Sequence, residues 1–300
     1  MQPETIQFSP ESLVALNICL AFIMFGVALE MKVEDFTQLL NQKKAILTGL
    51  FSQIILLPFI TFLLVLILPI SKGMALGMIL VAACPGGNVS NFFSMLAKGN
   101  VALSVTLTAF SSLLAFIITP INFFFWASLA PNMATEVKGF NIDILSLTTN
   151  MALILLLPLL VGMWTTKKFP SLTLKIGKTI RLLSILILAA FIVIAFLNNR
   201  NAFTSNFINV FLVVLLHNGM ALLLSYFFSL SLKNDEATNR TVAIETGIQN
   251  SGLGLILIFT FFHGNPEMAL VAAWWGIWHL ISGFGFSLLM RARTLQSIIK

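Results

Sequence analysis

One carboxylate organises the polar chemistry of this chain. Glu245 lies in the run Ala243-Ile244-Glu245-Thr246-Gly247-Ile248-Gln249-Asn250-Ser251-Gly252, in the middle of an apolar segment with no Lys or Arg at its depth. Arg240 falls near the end of that segment. An ionised side chain so placed costs about 2.5–3.5 kcal/mol on insertion scales and by default marks an ion or proton pathway. Gln53, Ser90, Asn91, Ser104, Thr108 and Gln249 add amide and hydroxyl oxygens inside other apolar segments. Carboxylate, amide and hydroxyl oxygens suit a hard cation, and sodium fits this donor set best. Ser104 and Thr108 are four apart and share a helical face, although either alone would bond back to its own helix.

Other chemistries fit these residues less well. His217, His263 and His279 lack the close spacing of a metalloprotease, and no base can be placed beside a serine nucleophile, so an intramembrane hydrolase is a remote reading. A proton-coupled transporter or antiporter of the same architecture is the nearer alternative, with Glu245 carrying the proton. It would use several membrane carboxylates, whereas only Glu30, near a segment end, joins Glu245. A passive channel would not need broken helices around one central acid. His279 beside Trp278 reads on its own as a core histidine, and His217 beside Asn218 reads as interhelical glue. Cys19 and Cys84 sit in apolar segments and support no disulfide framework.

The elements that must position these groups are membrane helices. Hydrophobic residues make up 58% of the chain and charged residues 9%, against about 25% charged in soluble domains. Segments of the roughly 20 apolar residues a span requires recur between short polar connectors. Spans are expected near 12–31, 45–67, 73–96, 101–128, 145–164, 178–198, 206–230, 240–263 and 267–290, an all-α integral membrane protein of about nine helices. The formal charge of +6 comes from residues at span ends, which excludes a nucleic-acid role. With nine spans, Lys72, Lys138 and Arg200 fall on one side and the other cations, including Lys32, Lys175, Lys233 and Arg293, on the other. Cytoplasmic loops collect Lys and Arg, so the N-terminus is expected outside an inner membrane and the C-terminus in the cytoplasm.

Two spans carry interruptions. The third contains Cys84-Pro85-Gly86-Gly87-Asn88-Val89-Ser90-Asn91, and the eighth contains the Glu245 run with its glycines. Close helix packing explains a lone glycine pair, but not the polar side chains gathered beside these. Unwound backbone at that depth must be covered by protein or line a cavity, which implies a central polar site. The interrupted spans are third in spans one to four and third in spans six to nine. An offset of five spans is odd, so one set is expected upside down relative to the other, as an inverted repeat.

Together with Lys98-Gly99-Asn100-Val101-Ala102-Leu103-Ser104, Leu216-His217-Asn218-Gly219 and Trp278-His279, these motifs make the chain similar to the bile acid:sodium symporter family, from about Asn17 to Phe286. The resemblance implies two crossing broken helices, a panel domain from 12–31 and 145–198, and a core of repeats 45–128 and 206–290. It implies sodium-coupled symport of a small organic anion by alternating access, not an enzyme. Two sodium sites are implied: Ser90, Asn91, Ser104, Thr108 and Glu245 at one; Gln53, Glu245 and Gln249, with the carbonyls of Thr246 and Ile248, at the other. The substrate, bile-acid-like, pantoate-like or another carboxylate, would lie near Asn88, Asn250 and His279. Leu280 stands where similar bacterial relatives often have Asn, so a polar substrate contact is missing. Beyond the anion and the lipid bilayer, no obligate protein partner is expected.

Overall fold

The computed structural model describes residues 10–29, 42–131, 133–140, 144–198 and 200–299, and in them the chain is all helix. Helix α1 spans Pro10–Ala28. α2 (Lys43–Phe51) and α3 (Leu57–Ile67) are joined by a π turn, Ser52–Leu56. Then come α4 (Lys72–Ala83), α5 (Val89–Leu96), α6 (Val101–Leu129) and a short α7 (Met133–Gly139). α8 (Ile144–Met151) and α9 (Leu157–Lys168) are joined by a second π turn, Ala152–Leu156. α10 (Pro170–Asn198), α11 (Arg200–Ser231), α12 (Glu236–Gly247), α13 (Ser251–Phe261) and α14 (Pro266–Ile299) complete the chain. Five stretches, 43–67, 101–129, 147–168, 208–231 and 266–292, are long and apolar enough to cross a membrane, and α4 and α13 are shorter apolar helices. The composition and these helices are those of a multi-pass integral membrane protein. Glu30 and Lys32 lie outside the described residues, as do the side chains of Lys138, Arg200 and Arg293. α7 lies in a stretch read from sequence as a connector; its Glu136 pairs with Lys72 at 2.6 Å.

The element order repeats. A long helix, a twelve-residue helix, a break, a second half-helix, a turn and another long helix occur as α2–α6 and again as α11–α14. The turns are alike in outline. After α5, Lys98 takes φ 58°, and the Gly99 N–H bonds back to the Ser94 carbonyl at 2.8 Å. After α13, His263 takes φ 52°, and the Gly264 N–H bonds to the Ile258 carbonyl at 3.0 Å. Each turn ends on an asparagine that caps the next helix: Asn100 accepts from Leu103 N and Asn265 from Met268 N. Such caps satisfy the orphan donors of a helix start and fix where it begins.

Proline explains the π turns. Each runs into a Leu-Pro pair, Leu57-Pro58 and Leu157-Pro158, and the first α-helical N–H after each turn reaches back five residues, to the Ser52 and the Ala152 carbonyl. Proline has no N–H and its ring crowds the carbonyl four residues earlier. For Pro58 that carbonyl belongs to Ile54, and it accepts instead from Asn122 Nδ2 on α6 at 2.9 Å. The largest apolar core joins α4, α6, α13 and α14 around Trp275, Phe123 and Phe262.

Candidate functional site

The two helix breaks meet. Residues 84–88 separate α4 from α5, and 248–250 separate α12 from α13. Gly86 and Gln249 form an isolated antiparallel bridge, with Gly87 N on the Ile248 carbonyl and Asn250 N on the Pro85 carbonyl, both at 2.8 Å. Backbone groups freed by each break are thus satisfied by the other, as a water-poor interior demands. A side chain on Gly86 would crowd the carboxylate cluster. A Cβ on it would lie 2.8 Å from Gln53 Nε2 and 3.1 Å from Glu245 Oε2.

Glu245 lies in the last turn of α12 and is fully buried. Among the described residues, every hydrogen bond to its carboxylate comes from a neutral group. Oε1 accepts from Ser90 Oγ at 2.5 Å, from Ser104 Oγ, and from Thr108 Oγ1 at 3.2 Å. Oε2 accepts from Thr108 Oγ1 at 3.0 Å and from Gln53 Nε2 at 3.1 Å. Gln53 Nε2 also donates to the Glu245 backbone carbonyl at 2.9 Å. The π turn carries Gln53 to this position, and the four-residue spacing on α6 delivers Ser104 and Thr108. Asn91 joins through its Oδ1, which accepts from Ser104 Oγ at 2.9 Å.

The cluster is rich in lone pairs and poor in protons. Ser104 has one hydroxyl proton and two acceptors facing it, Glu245 Oε1 and Asn91 Oδ1. Ser90 Oγ and Thr108 Oγ1 are only 3.2 Å apart. The C-terminal end of α12 adds the negative pole of its dipole to the carboxylate. Arg240, one turn and a half earlier, does not neutralise it: that guanidinium is bonded to Glu236 and to the Ala97 carbonyl, both at 2.9 Å. Gln249 Nε2 folds back onto the Thr246 carbonyl at 2.8 Å. The side-chain oxygens of Gln53 and Gln249 are buried with no partner, which suits a cation and no further hydrogen-bond acceptor. Among the described residues, no three His, Cys, Asp or Glu are grouped as a softer metal would require.

The other expected residues lie around the crossing. Asn88 opens α5 but makes no capping bond, while Asn250 caps α13 by accepting from Leu253 N at 3.0 Å. His279 on α14 is buried with its Nδ1 unpartnered, and Leu280 beside it is exposed. His217 has a structural partner: its Nε2 lies 2.6 Å from Thr61 Oγ1, and Thr61 donates its proton to the Leu57 carbonyl. Sequence reasoning missed Asn218, whose Nδ2 holds the Gly247 carbonyl at 2.7 Å beside the break. It also missed Ser111, which accepts from Gly86 N at 3.2 Å, and Asn122. The signal was present: residues 104, 108, 111, 119 and 122 are polar and recur at helical spacing along one face of α6.

Comparison with known proteins identifies relatives of the chain. A model of the Sodium Bile acid symporter family matches residues 17–206. The chain is 32% identical over 272 residues to the uncharacterized sodium-dependent transporter YocS of Bacillus subtilis, covering 89% of this chain and 80% of that protein. It is 31% identical over 283 residues to the probable chloroplastic sodium/metabolite cotransporter BASS1 of Arabidopsis thaliana, covering 94% and 68%. Similarity extends to the sodium/bile acid cotransporter 5 of Rattus norvegicus, 28% identical over 257 residues, 86% of this chain and 58% of that protein.

Proposed function

This chain belongs to the sodium bile acid symporter family, and on that premise we propose that it imports a small organic anion across a cell inner membrane, driven by sodium. The relatives are sodium-dependent transporters and not enzymes. The observation that carries the reading is Glu245: a fully buried carboxylate held, among the described residues, by neutral groups in a proton-poor oxygen cluster. A second charge of opposite sign is the simplest way to stabilise it. Ser90, Asn91, Ser104, Thr108 and Glu245 would hold one sodium. Gln53, Gln249, Glu245 and the carbonyls of Thr246 and Ile248 would hold another.

The anion would lie where the N-termini of α5 and α13 approach each other, near Asn88, Asn250 and His279. Both half-helices present their positive ends there, and the amide nitrogen of Asn250 remains for a ligand because its oxygen caps α13. Sodium on the far side of the crossing would draw α5, α6 and α12 together and fix those N-termini, so anion binding follows ion binding. Bile-acid-like, pantoate-like and other carboxylates all fit this chemistry.

Nine spans follow if α2–α3, α4–α5, α8–α9 and α12–α13 each cross as one unit beside α1, α6, α10, α11 and α14. The two repeats are then inverted, with the N-terminus outside. Residues 45–128 and 206–290 would form a core and 12–31 and 145–198 a panel that rocks against it. Packing within the panel supports this division. α1 packs on α9 and α10, and a Cβ on Gly162 would meet the Ala28 Cβ at 2.5 Å. Purified protein in liposomes, screened with labelled anions, should accumulate substrate only under an inward sodium gradient. Full uptake in choline with a proton gradient would replace sodium by the proton.

A further inference from the structure

One turn before Glu245, α12 grips the turn that joins α5 to α6. Thr241 Oγ1 accepts from Asn100 N at 2.8 Å and donates to the Asn100 carbonyl at 3.2 Å, and Asn100 N also reaches the Ala237 carbonyl at 3.2 Å. Arg240 Nη1 donates at 2.9 Å to the carbonyl of Ala97, the residue that caps the end of α5. A cation there satisfies an orphan carbonyl and meets the negative end of the helix dipole. Arg240 is 4% exposed, and its Nε is held by Glu236, which accepts in turn from Tyr226 on α11 at 2.8 Å.

The gripped turn joins the two helices that surround the carboxylate, since α5 brings Ser90 and Asn91 and α6 brings Ser104 and Thr108. α5 has eight residues and no side-chain cap at its start, so its seat over Glu245 depends on its far end. On α6 the coupling is direct. The Asn100 carbonyl that takes the Thr241 proton also accepts from Ser104 N at 3.0 Å. The Thr241–Asn100 contact thus lies one helical turn from the Glu245–Ser104 contact on both helices.

The first repeat holds its own turn differently. Counted from the start of each twelve-residue helix, Leu76 stands where α12 has Arg240, Gly77 where it has Thr241, and Val81 where it has Glu245. A Cβ on Gly77 would lie 2.9 Å from the Met268 Cα, so close packing on α14 takes the place of the grip. The arginine and threonine accompany the carboxylate, and the fold can seat such a turn without them. We infer that Arg240 and Thr241 are positioning residues for the sodium site. By clasping residues 97–100 they hold Ser90, Asn91 and Ser104 around Glu245, and so set sodium affinity without touching the ion. The clasp rests on the reading of Glu245 as the sodium ligand, and its test separates the two.

The test is the melting temperature of the full chain against sodium concentration, with choline balancing ionic strength, for the parent, Arg240→Met, Thr241→Val and Glu245→Gln. The sign of the Arg240→Met effect separates clasp from charge. Removing a cation from the carboxylate's own helix, and leaving Glu236 uncompensated, would by charge alone tighten sodium binding. Loss of the clasp weakens it. The sodium midpoint should rise at least about fivefold in Arg240→Met and about threefold in Thr241→Val, which keeps the charge. An unchanged or lowered midpoint in either variant would overturn the clasp, even where the melting temperature without sodium falls, since that fall alone is a structural effect. If Arg240→Met does not fold, Thr241→Val decides alone. A midpoint unmoved by Glu245→Gln would refute the reading of the carboxylate, and the clasp with it.

Discussion

Replacing Glu245 by Gln keeps the size and one oxygen but removes the central charge, and its consequences can be worked through the contacts. The three hydroxyls now on Oε1 can stay, because the amide oxygen accepts them equally well. The new NH₂ takes the place of Oε2, 3.1 Å from Gln53 Nε2, where donor faces donor. Gln53 must turn its amide over, which also ends its 2.9 Å bond to the residue 245 carbonyl. That rearrangement gives up two buried hydrogen bonds for one new one, a net cost of about 1 kcal/mol. The charge matters more. A unit charge about 4 Å from a cation is worth about 4 kcal/mol at an effective dielectric of 20. The amide dipole recovers part of this, so a loss well above 1.4 kcal/mol, hence more than tenfold in sodium affinity, is expected. Without sodium the variant should melt no lower than the parent, since an unpaired buried charge has been removed. The assay is melting temperature against sodium concentration in detergent, with choline balancing ionic strength. The sodium curve should move by more than one logarithmic unit. A well-folded Glu245→Gln protein with an unchanged curve would show that the carboxylate binds no sodium.

Three further outcomes are expected. Gly86→Ala should fold yet lose its sodium response in the same assay, because the added methyl reaches Gln53 and Glu245; a normal response would mean the site is not confined by this backbone. Asn122→Leu should destabilise by about 1–3 kcal/mol by orphaning the Ile54 carbonyl, and Pro58→Ala should restore most of that by returning an N–H four residues on; the absence of rescue would dissociate proline from the π turn. A cysteine at Lys72 should label from outside intact cells and one at Lys175 or Lys233 only after permeabilisation, and the reverse labelling would invert the topology.

Much of the cluster was legible because chemistry left few options. A carboxylate in an apolar segment stands out, and Gln53, Ser90, Ser104 and Thr108 are among the few side chains able to meet it in the interior; the structure places all four on Glu245. The first break was legible because Pro85 interrupts a helix and Gly86 and Gly87 favour one poorly, whereas the second, at residues 248–250, was marked only by Gly247 before it and Gly252 and Gly254 after it. Other features depend on contacts that no local pattern encodes. Leu57-Pro58 announces a disturbance, but a π turn rather than a kink results because Asn122 stands ready for the freed carbonyl. Likewise Asn218 appears as an ordinary polar neighbour of His217 until α12 ends beside it. The short α7 was missed because its seven residues, including Thr135, Glu136 and Lys138, have the composition of a connector.

The bridge between the two breaks also dictates how the chain can be made. The Pro85 carbonyl and the Gly87 N–H depend on Asn250 and Ile248, which are synthesised far later. At about 5–20 residues per second, on the order of ten seconds or more separates them. If α4–α5 crosses as one unit, as proposed, the first interrupted helix would in that interval have exposed peptide groups at mid-depth, each costing several kcal/mol in lipid. A nascent chain ending before residue 245 should therefore remain beside the insertion machinery or its helpers, and site-directed crosslinking from Gly87 should detect them. Release of the first repeat into free lipid at that length would show that its peptide groups find partners elsewhere.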